Sequence, residues 1–324
     1  MNIGFVGCGG IARAHVQRLA KIPEAKIVAF YDVVPQKAED AAKLVGAKAY
    51  PDLQQMLDEE RLDAVYVCVP PFAHGFEPKI VERGIHLFVE KPVALTMEVA
   101  REIERAIARA GVLCSVGYMW RYLDTTALAK KTLEENGPVG MVEGLYIDSY
   151  WFPPGHWWID KAKSGGQVLE QSTHIFDLAR YLVGDVLRVY AELDTRLLMD
   201  VPGFKTEDVS LVTLKFKNGA IGVFLSTCAS RRTFTGTSLK IMAKNVVVEH
   251  GGHSGTLRIY LDQEVREVKP TVDSYLEEDR VFVNAVAKGD GSAIKSPYSD
   301  AIKTLEVTIA ANEASRKNRV VTLL

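Results

Sequence analysis

The sequence predicts an α/β chain in two parts. Residues 1–118 read as a doubly wound parallel sheet, and 119–324 as an α/β domain with a large, mostly antiparallel open sheet. Three observations predict this. The first 115 or so residues alternate short apolar strands with helical stretches, the rhythm of successive β-α-β units. A glycine turn, Gly7-Cys8-Gly9-Gly10-Ile11-Ala12, joins the first strand to the first helix. Beyond Gly117 the pattern changes to long alternating strands, with Asn218-Gly219 as the strongest hairpin signal. At 324 residues the chain is long enough for two cores.

Residues 2–6 form the first strand, followed by the glycine turn, a helix to Leu19, and a strand at 27–30 ending on Tyr31-Asp32. Strand, glycine turn, helix, strand and acid come in the order a dinucleotide site needs. Gly7 permits the tight turn, Gly9 lets the backbone approach a pyrophosphate, and Ala12 lets helix and strand pack closely. Gly10 and Ile11 open the helix, whose N-terminal N–H groups suit phosphate oxygens. Asp32 would take both ribose hydroxyls and repel a 2′-phosphate, so NAD is expected rather than NADP; Lys37 is the nearby cation that could reach such a phosphate. Glycines that merely turn the chain would not require the helix, strand and acid that follow.

A helix over 35–45 stops at Gly46, and a short extended piece at 47–50 precedes a helix from about 52. Residues 62–69 are a buried strand ending at Pro70-Pro71. A helix to Gly84, a strand at 86–89, the turn Glu90-Lys91-Pro92, a helix over 96–110 and a strand at 112–116 complete the first part. Ligands of such sheets bind at the carboxyl ends of the strands, where Gly7, Asp32, Pro70, Glu90 and Lys91 fall. The second part has a helix over 125–135 and strands at 142–148, 187–198, 208–216, 221–227, 238–249 and 256–261. Helices over 273–288 and 300–316 close it. One face of this sheet is expected to carry helices and the other to face a second subunit.

Composition excludes several classes. A formal net charge of −2 offers no electrostatic case for nucleic acid or an anionic membrane. No run of about twenty apolar residues is present to span a bilayer. The chain opens on a core strand rather than a leader, so a cytoplasmic protein is expected. Cys8, Cys68, Cys114 and Cys228 lie far apart and read as reduced, buried small residues. Cys8, in the glycine turn, is the one candidate for oxidation sensitivity.

Two segments carry chemistry. Glu90-Lys91-Pro92 stands where the fifth parallel strand ends, which aims Lys91 at the place a nicotinamide would take. Pro92 fixes the turn, and Glu90 is placed to hold the lysine by an ion pair. An ammonium there can donate to a hydroxyl oxygen and stabilise charge as a carbonyl forms. The other segment is 164–184, opened by Gly165-Gly166 and closed by Gly184 as one helix would be. On a helical wheel Val168, Ile175, Leu178, Ala179 and Leu182 form an apolar stripe. Glu170, His174, Asp177 and Tyr181 form another, which Gln167 joins. Either acid would orient His174 and raise its basicity, which suits it to take a proton from an alcohol as hydride leaves the adjacent carbon. By itself the stripe reads as a solvated face; following a dinucleotide domain it reads as catalytic. Glu170 and Asp177 are seven residues apart with no second His or Cys nearby in sequence, so no metal is expected.

All four tryptophans lie between Trp120 and Trp158, in the segments 118–122 and 150–158. Flat rings such as Trp157 and Trp158 suit the C–H faces of a sugar, while Tyr118, Arg121, Asp160 and Lys163 offer polar partners. Core packing is the alternative for any one of these rings.

Together these residues resemble the Gfo/Idh/MocA oxidoreductase family, the relatives of glucose–fructose oxidoreductase and inositol dehydrogenase, over nearly the whole chain. Gly7-x-Gly9-x-x-Ala12 resembles its cofactor turn, and Pro71 and His74 its loop after the fourth strand. Glu90-Lys91-Pro92 resembles its signature, whose lysine is catalytic; Gly165-Gly166 with His174-Ile175-Phe176-Asp177-Leu178 resembles its second motif, whose histidine transfers a proton. Glu170 stands where the family usually has Asp, Ser172 where it often has Gly, and Gln167 where a third glycine is usual. The resemblance implies a Rossmann domain followed by an open-sheet α/β domain, used for dimer or tetramer contacts. It implies an NAD-dependent dehydrogenase of a sugar, inositol or related polyol, with His174 taking the proton, Glu170 or Asp177 orienting it, and Lys91 stabilising the oxygen. Two alternatives share the fold: a glycosidase that uses NAD for transient oxidation, and a non-catalytic NAD- and sugar-sensing regulator. The presence of both Lys91 and His174 argues against the regulator.

Overall fold

The structure, a computed structural model, describes residues 1–323. The chain divides into two compact units: Met1–Met119 with Asp273–Ile302, and Trp120–Val272 with the residues from Lys303 onward.

The first unit is built on strands β1 (Asn2–Val6), β2 (Lys26–Tyr31), β3 (Lys48–Tyr50), β4 (Ala64–Val67), β5 (His86–Val89) and β6 (Cys114–Val116). Their order is β3-β2-β1-β4-β5-β6 and every pair is parallel, so the order reverses beside β1. Helices α1 (Gly10–Leu19), α2 (Pro35–Val45), α3 (Leu53–Glu59), α4 (Glu77–Val81) and α5 (Met97–Ala110) make the connections. β4 is buried at every position, as a strand covered on both faces must be. Phe5, Phe30, Tyr66 and Phe88 stack across four neighbouring strands with ring centroids 4.6–5.3 Å apart. Asp52 and Thr96 cap α3 and α5 by accepting from the N–H groups of Gln55 and Val99.

The second unit begins with α6 (Asp124–Glu135) and β7 (Val139–Ile147). Three helices follow: α7 (Lys161–Ser164), α8 (Gln167–Glu170) and α9 (Thr173–Val183). Then come β8 (Val186–Asp194), β9 (Val209–Phe216), β10 (Ile221–Thr227), β11 (Gly236–Ala243), β12 (Val247–His250), β13 (Leu257–Tyr260) and β14 (Val265–Val268). With β15 (Val321–Thr322) they form a nine-stranded sheet, β14-β13-β12-β11-β7-β10-β9-β8-β15, antiparallel except for β7 with β10. The strand expected over 238–249 is broken into β11 and β12 by a tight turn, where Ala243 N–H donates to Val246 O. Alternate residues face opposite ways. Val142, Val212, Leu214, Phe224 and Ile241 are buried on the face that carries α6 and α9. The helix-free face shows a row, Leu145-Leu225-Leu211, paired across β7, β10 and β9.

α10 (Ser274–Lys288) and the first residues of α11 (Tyr298–Lys317) return to the first unit. This differs from the expected second domain over 119–324. α10 drives Phe282 edge-on against Tyr66 and Phe88 and buries Val283 and Ala285 in the same core. Val116 N–H then donates to Ser296 O at 2.9 Å, which covers the open edge of β6. A periodic helix shows which of its faces is apolar but not which sheet will receive it. Among the described residues no helix is long and apolar enough to cross a membrane.

Candidate active site

The turn after β1 is shaped by a close approach. Gly7 has φ +88°, and a Cβ there would stand 2.4 Å from the carbonyl oxygen of Cys68. Only glycine meets both demands. Gly9 and Gly10 are the opposite case: a Cβ at either would meet nothing within 4 Å. The space above the first turn of α1 is therefore open, while Ala12 beneath it is buried. Asp32, just past β2, accepts from Cys8 N–H and Val34 N–H, both at 2.8 Å. One bond per carboxylate oxygen leaves further lone pairs for ribose hydroxyls. These residues fit a dinucleotide: open glycines at a helix N-terminus for the pyrophosphate, and a fixed acid for the ribose. Pro70 and Pro71 follow β4. The His74 side chain is buried against Glu77, donating from Nδ1 to Oε1 at 2.5 Å, so it braces this loop.

Glu90 and Lys91 leave the end of β5, and the Lys91-Pro92 peptide is cis. Glu90 is buried; its Oε2 accepts from the Lys91 backbone N–H at 3.0 Å and its Oε1 from His15 Nε2 at 2.9 Å. The expected hold of Glu90 on Lys91 thus acts through the lysine's backbone. His15, Glu90 and Glu278 bring ligand-type atoms within 4.8 Å of one another. Both nitrogens of His15 already face carboxylates, Glu90 and Asp279, so the ring has no lone pair to give an ion.

In the second unit the stretch expected as one helix is two, α8 and α9, with the short α7 closing just ahead of them. α7 ends at Gly165, α8 at Glu170, and α9 begins at Thr173. Gly166, at φ +97°, turns the chain where a Cβ would strike the Glu207 carboxylate at 2.4 Å. Glu207 accepts from Val168 N–H and pairs with Lys161. Glu170 closes α8, ahead of the break before the helix that carries His174, and its Oε2 accepts from the Trp158 indole at 2.6 Å. The stripe is not a solvated face: α9 buries Thr173 through Arg180, His174 and Asp177 among them. Phe176 of α9 rests on Phe224, for which Gly144 makes room. His174 lies beside the Trp120 ring, with centroids 5.1 Å apart.

Residues 1–118 match the GFO/IDH/MocA family described as "Oxidoreductase family, NAD-binding Rossmann fold", and residues 128–249 match its C-terminal domain. The myo-inositol 2-dehydrogenase of Thermotoga maritima is 30% identical over 100% of this chain and 98% of its own. The chain belongs to the GFO/IDH/MocA oxidoreductase family. The scyllo-inositol 2-dehydrogenase (NAD(+)) of Bacillus subtilis is 28% identical over 100% of this chain and 96% of its own. A levoglucosan dehydrogenase solved with NADH and levoglucosan shares the fold at a TM-score of 0.90 and 22% identity, covering 100% of this chain and 99% of that one.

Within this GFO/IDH/MocA chain the remaining expected residues fall into two groups. Arg121 was read as a substrate partner. The fold commits it to Asp177 instead: it is buried, its Nε and terminal nitrogen donate to the two Asp177 oxygens at 2.8 and 2.5 Å, and its guanidinium covers the Tyr181 ring. Thr304 adds a third bond to Asp177 at 2.9 Å. Trp158 is core, stacked on Phe152, and Tyr118 is buried as well. Trp157 is half-buried and Lys163 exposed, so these two reach the surface. Sequence reading missed His15, Asp279 and Glu207. His15 carried a signal: it shares the buried face of α1 with Ala12, Val16 and Leu19.

The surroundings of Cys8 argue against an oxidation-sensitive thiol. Burial, reinforced by the Asp32 carboxylate, pushes it up to about 12, and burial raises the other three cysteines too. Native protein at pH 8 is expected to leave all four thiols unreacted with a disulfide reagent over minutes, and to titrate four after unfolding in guanidinium. A fast-reacting native thiol would contradict this burial.

Proposed function

We propose that this chain is an NAD-dependent dehydrogenase that moves hydride between nicotinamide and a CH–OH group of a sugar, inositol or related polyol. The observation that carries the reading is the open space at Gly9 and Gly10 on the same sheet end from which Lys91 departs. Gly7, Gly9, Gly10, Ile11, Ala12 and Asp32 would hold the dinucleotide, with Pro70, Pro71 and His74 shaping the neighbouring loop. Bound nicotinamide supplies the hydride acceptor. His174 takes the hydroxyl proton as the carbon is oxidised. Lys91 donates to the same oxygen and stabilises the charge that develops on it. Asp177 is committed to Arg121 and Thr304, so Glu170 is the acid assigned to orient His174. Trp157 and Lys163, which reach the surface, are assigned to the substrate. Asp32, followed by the apolar Val33 and Val34, favours NAD over NADP.

The test is NADH absorbance with purified protein, NAD and a panel of inositols, sugars and glycosides, repeated with NADP. NADH formed with one polyol, faster with NAD than NADP and lost in Lys91→Ala, is the expected result. NAD binding with no reduction across the panel would overturn the dehydrogenase reading. Sugar released from a glycoside without net NADH would favour a glycosidase, and no turnover at all a regulator.

The helix-free face of the second sheet supports a homodimer or homotetramer. Leu211, Leu225, Ile221 and Met141 are exposed there, with Ile221 paired to Met141 and Leu225 to Leu211. An aliphatic patch of this kind marks an association surface. Light scattering is expected to give a mass of two or four chains, and Leu225→Asp with Ile221→Asp to give one. A single-chain mass for the unaltered protein would refute it.

A further inference from the structure

His15 stands on α1, one turn behind the open glycines, with its side chain completely buried. Phe88, Tyr66 and Tyr275 surround its ring at 4.9, 5.4 and 6.1 Å. Nδ1 faces Asp279 Oδ1 at 2.8 Å, and Nε2 faces Glu90 Oε1 at 2.9 Å. With an acceptor at each nitrogen the ring is placed to carry both protons. Burial opposes that charge, but Asp279 and Glu90 outweigh it and lift His15 to about 10. Glu278 is also buried in this pocket, and burial raises its carboxyl well above the usual carboxylate range.

The remaining oxygen of Glu90 accepts from the backbone N–H of Lys91 at 3.0 Å. A chain of bonds thus runs Asp279–His15–Glu90–Lys91, from the returning helix α10 to the turn that presents the lysine. Gly117 leaves room for it, since a Cβ there would stand 2.7 Å from Glu90 Oε1. A buried carboxylate without a cation would be costly and would not hold one orientation. We propose that His15, tethered by Asp279, is a positioning residue for Lys91: it fixes the Glu90 carboxylate, and Glu90 fixes the backbone that carries the lysine. Its catalytic consequence rests on the reading of Lys91 as the group that binds the reacting oxygen.

Two measurements need no substrate. With NAD alone bound, the ¹⁵N-imidazole spectrum of the unaltered protein is expected to show one of its seven histidines doubly protonated at pH 8.5. A spectrum with every ring neutral at that pH overturns the proposal. In protein labelled with ¹⁵N-lysine, the Lys91 amide is the resonance lost in Lys91→Arg. It is expected to move upfield in His15→Gln and in Asp279→Asn, while the other lysine amides and the Tm stay near their starting values. An unmoved Lys91 amide in either folded variant overturns it. On the substrate found in the panel, His15→Gln is expected to lower kcat roughly 10- to 100-fold with both KM values little changed. His15→Gln with Asp279→Asn should be no worse than His15→Gln alone, since both act through one chain. A loss shared equally by KM, kcat and Tm would mark a structural role only. Lys91→Ala is measured alongside: if it keeps full kcat the dehydrogenase assignment of Lys91 falls, while the imidazole and amide spectra still decide whether His15 holds the turn.

Discussion

His174→Ala is expected to lower kcat by about 10²- to 10⁴-fold while NAD binds as before. The magnitude follows from what the side chain would do. Taking a proton in step with hydride departure avoids forming a protonated ketone, and that avoidance is the worth of a placed base. The variant should remain folded. α9 is anchored by Phe176 on Phe224 and by apolar neighbours such as Ile175 and Leu178, none of which is altered. NAD affinity is the internal control, because the glycine turn and Asp32 belong to the other unit. Steady-state rates with the identified polyol, together with NADH titration by fluorescence, check both parts. A variant within twofold of the original kcat would remove His174 from the reaction.

Asp177→Asn makes the useful contrast. Asp177 lies three residues further along the same helix, and the sequence placed it on the same stripe as His174. In the structure it neutralises a fully buried arginine and takes three hydrogen bonds. Removing its charge leaves Arg121 buried without its counter-ion, a loss of about 3–5 kcal/mol. Its signature is therefore a fallen Tm, with lower activity following from unfolding rather than from the chemical step.

The difference between these two residues shows what was legible beforehand. The first sheet could be read because its rules are local: apolar strands, glycine turn, helix and acid lie within residues 2–32. Lys91 was placed by its distance from the end of one strand. The 164–184 segment was misread as a single helix because its apolar spacing survives the break. The break falls at Gln171-Ser172, where Ser172 N–H reaches back to Gln167 O at 2.9 Å. What starts α8 is tertiary, the Glu207 carboxylate, which lies 39 residues from the Val168 N–H it binds. Arg121 could not be assigned either, since a guanidinium in sequence carries no sign of whether a ligand or a buried acid will meet it. The same limit hid the Asp279–His15 pair, which joins residues 264 positions apart, and the return of α10 to the first core. Those pairings are set by which surfaces remain uncovered once the sheets have formed.

Gly7→Ala and Gly9→Val should separate folding from cofactor binding within one turn. Gly7→Ala places a methyl carbon 2.4 Å from a backbone oxygen at a φ of +88°. The obstacle is the Cys68 carbonyl, which leaves β4 and has no side-chain freedom with which to yield. Left-handed backbone costs of order 1–3 kcal/mol for a residue with a Cβ, and the collision adds to it. A loss of roughly 4 kcal/mol or more is expected, read as a Tm lowered by about 10 °C. Gly9→Val has neither penalty. Its φ of −76° suits any residue, and its Cβ meets no atom of the protein within 4 Å. The space it fills is the space assigned to pyrophosphate. The free protein should therefore melt within a degree or two of the original, while NAD affinity falls at least about 100-fold, roughly 2.7 kcal/mol. Differential scanning fluorimetry with and without NAD reads both effects in one experiment. The original protein should gain Tm on adding NAD, and Gly9→Val should gain almost none. If Gly9→Val kept its NAD-dependent gain, the dinucleotide would have to lie elsewhere, because a valine and a pyrophosphate cannot share that volume.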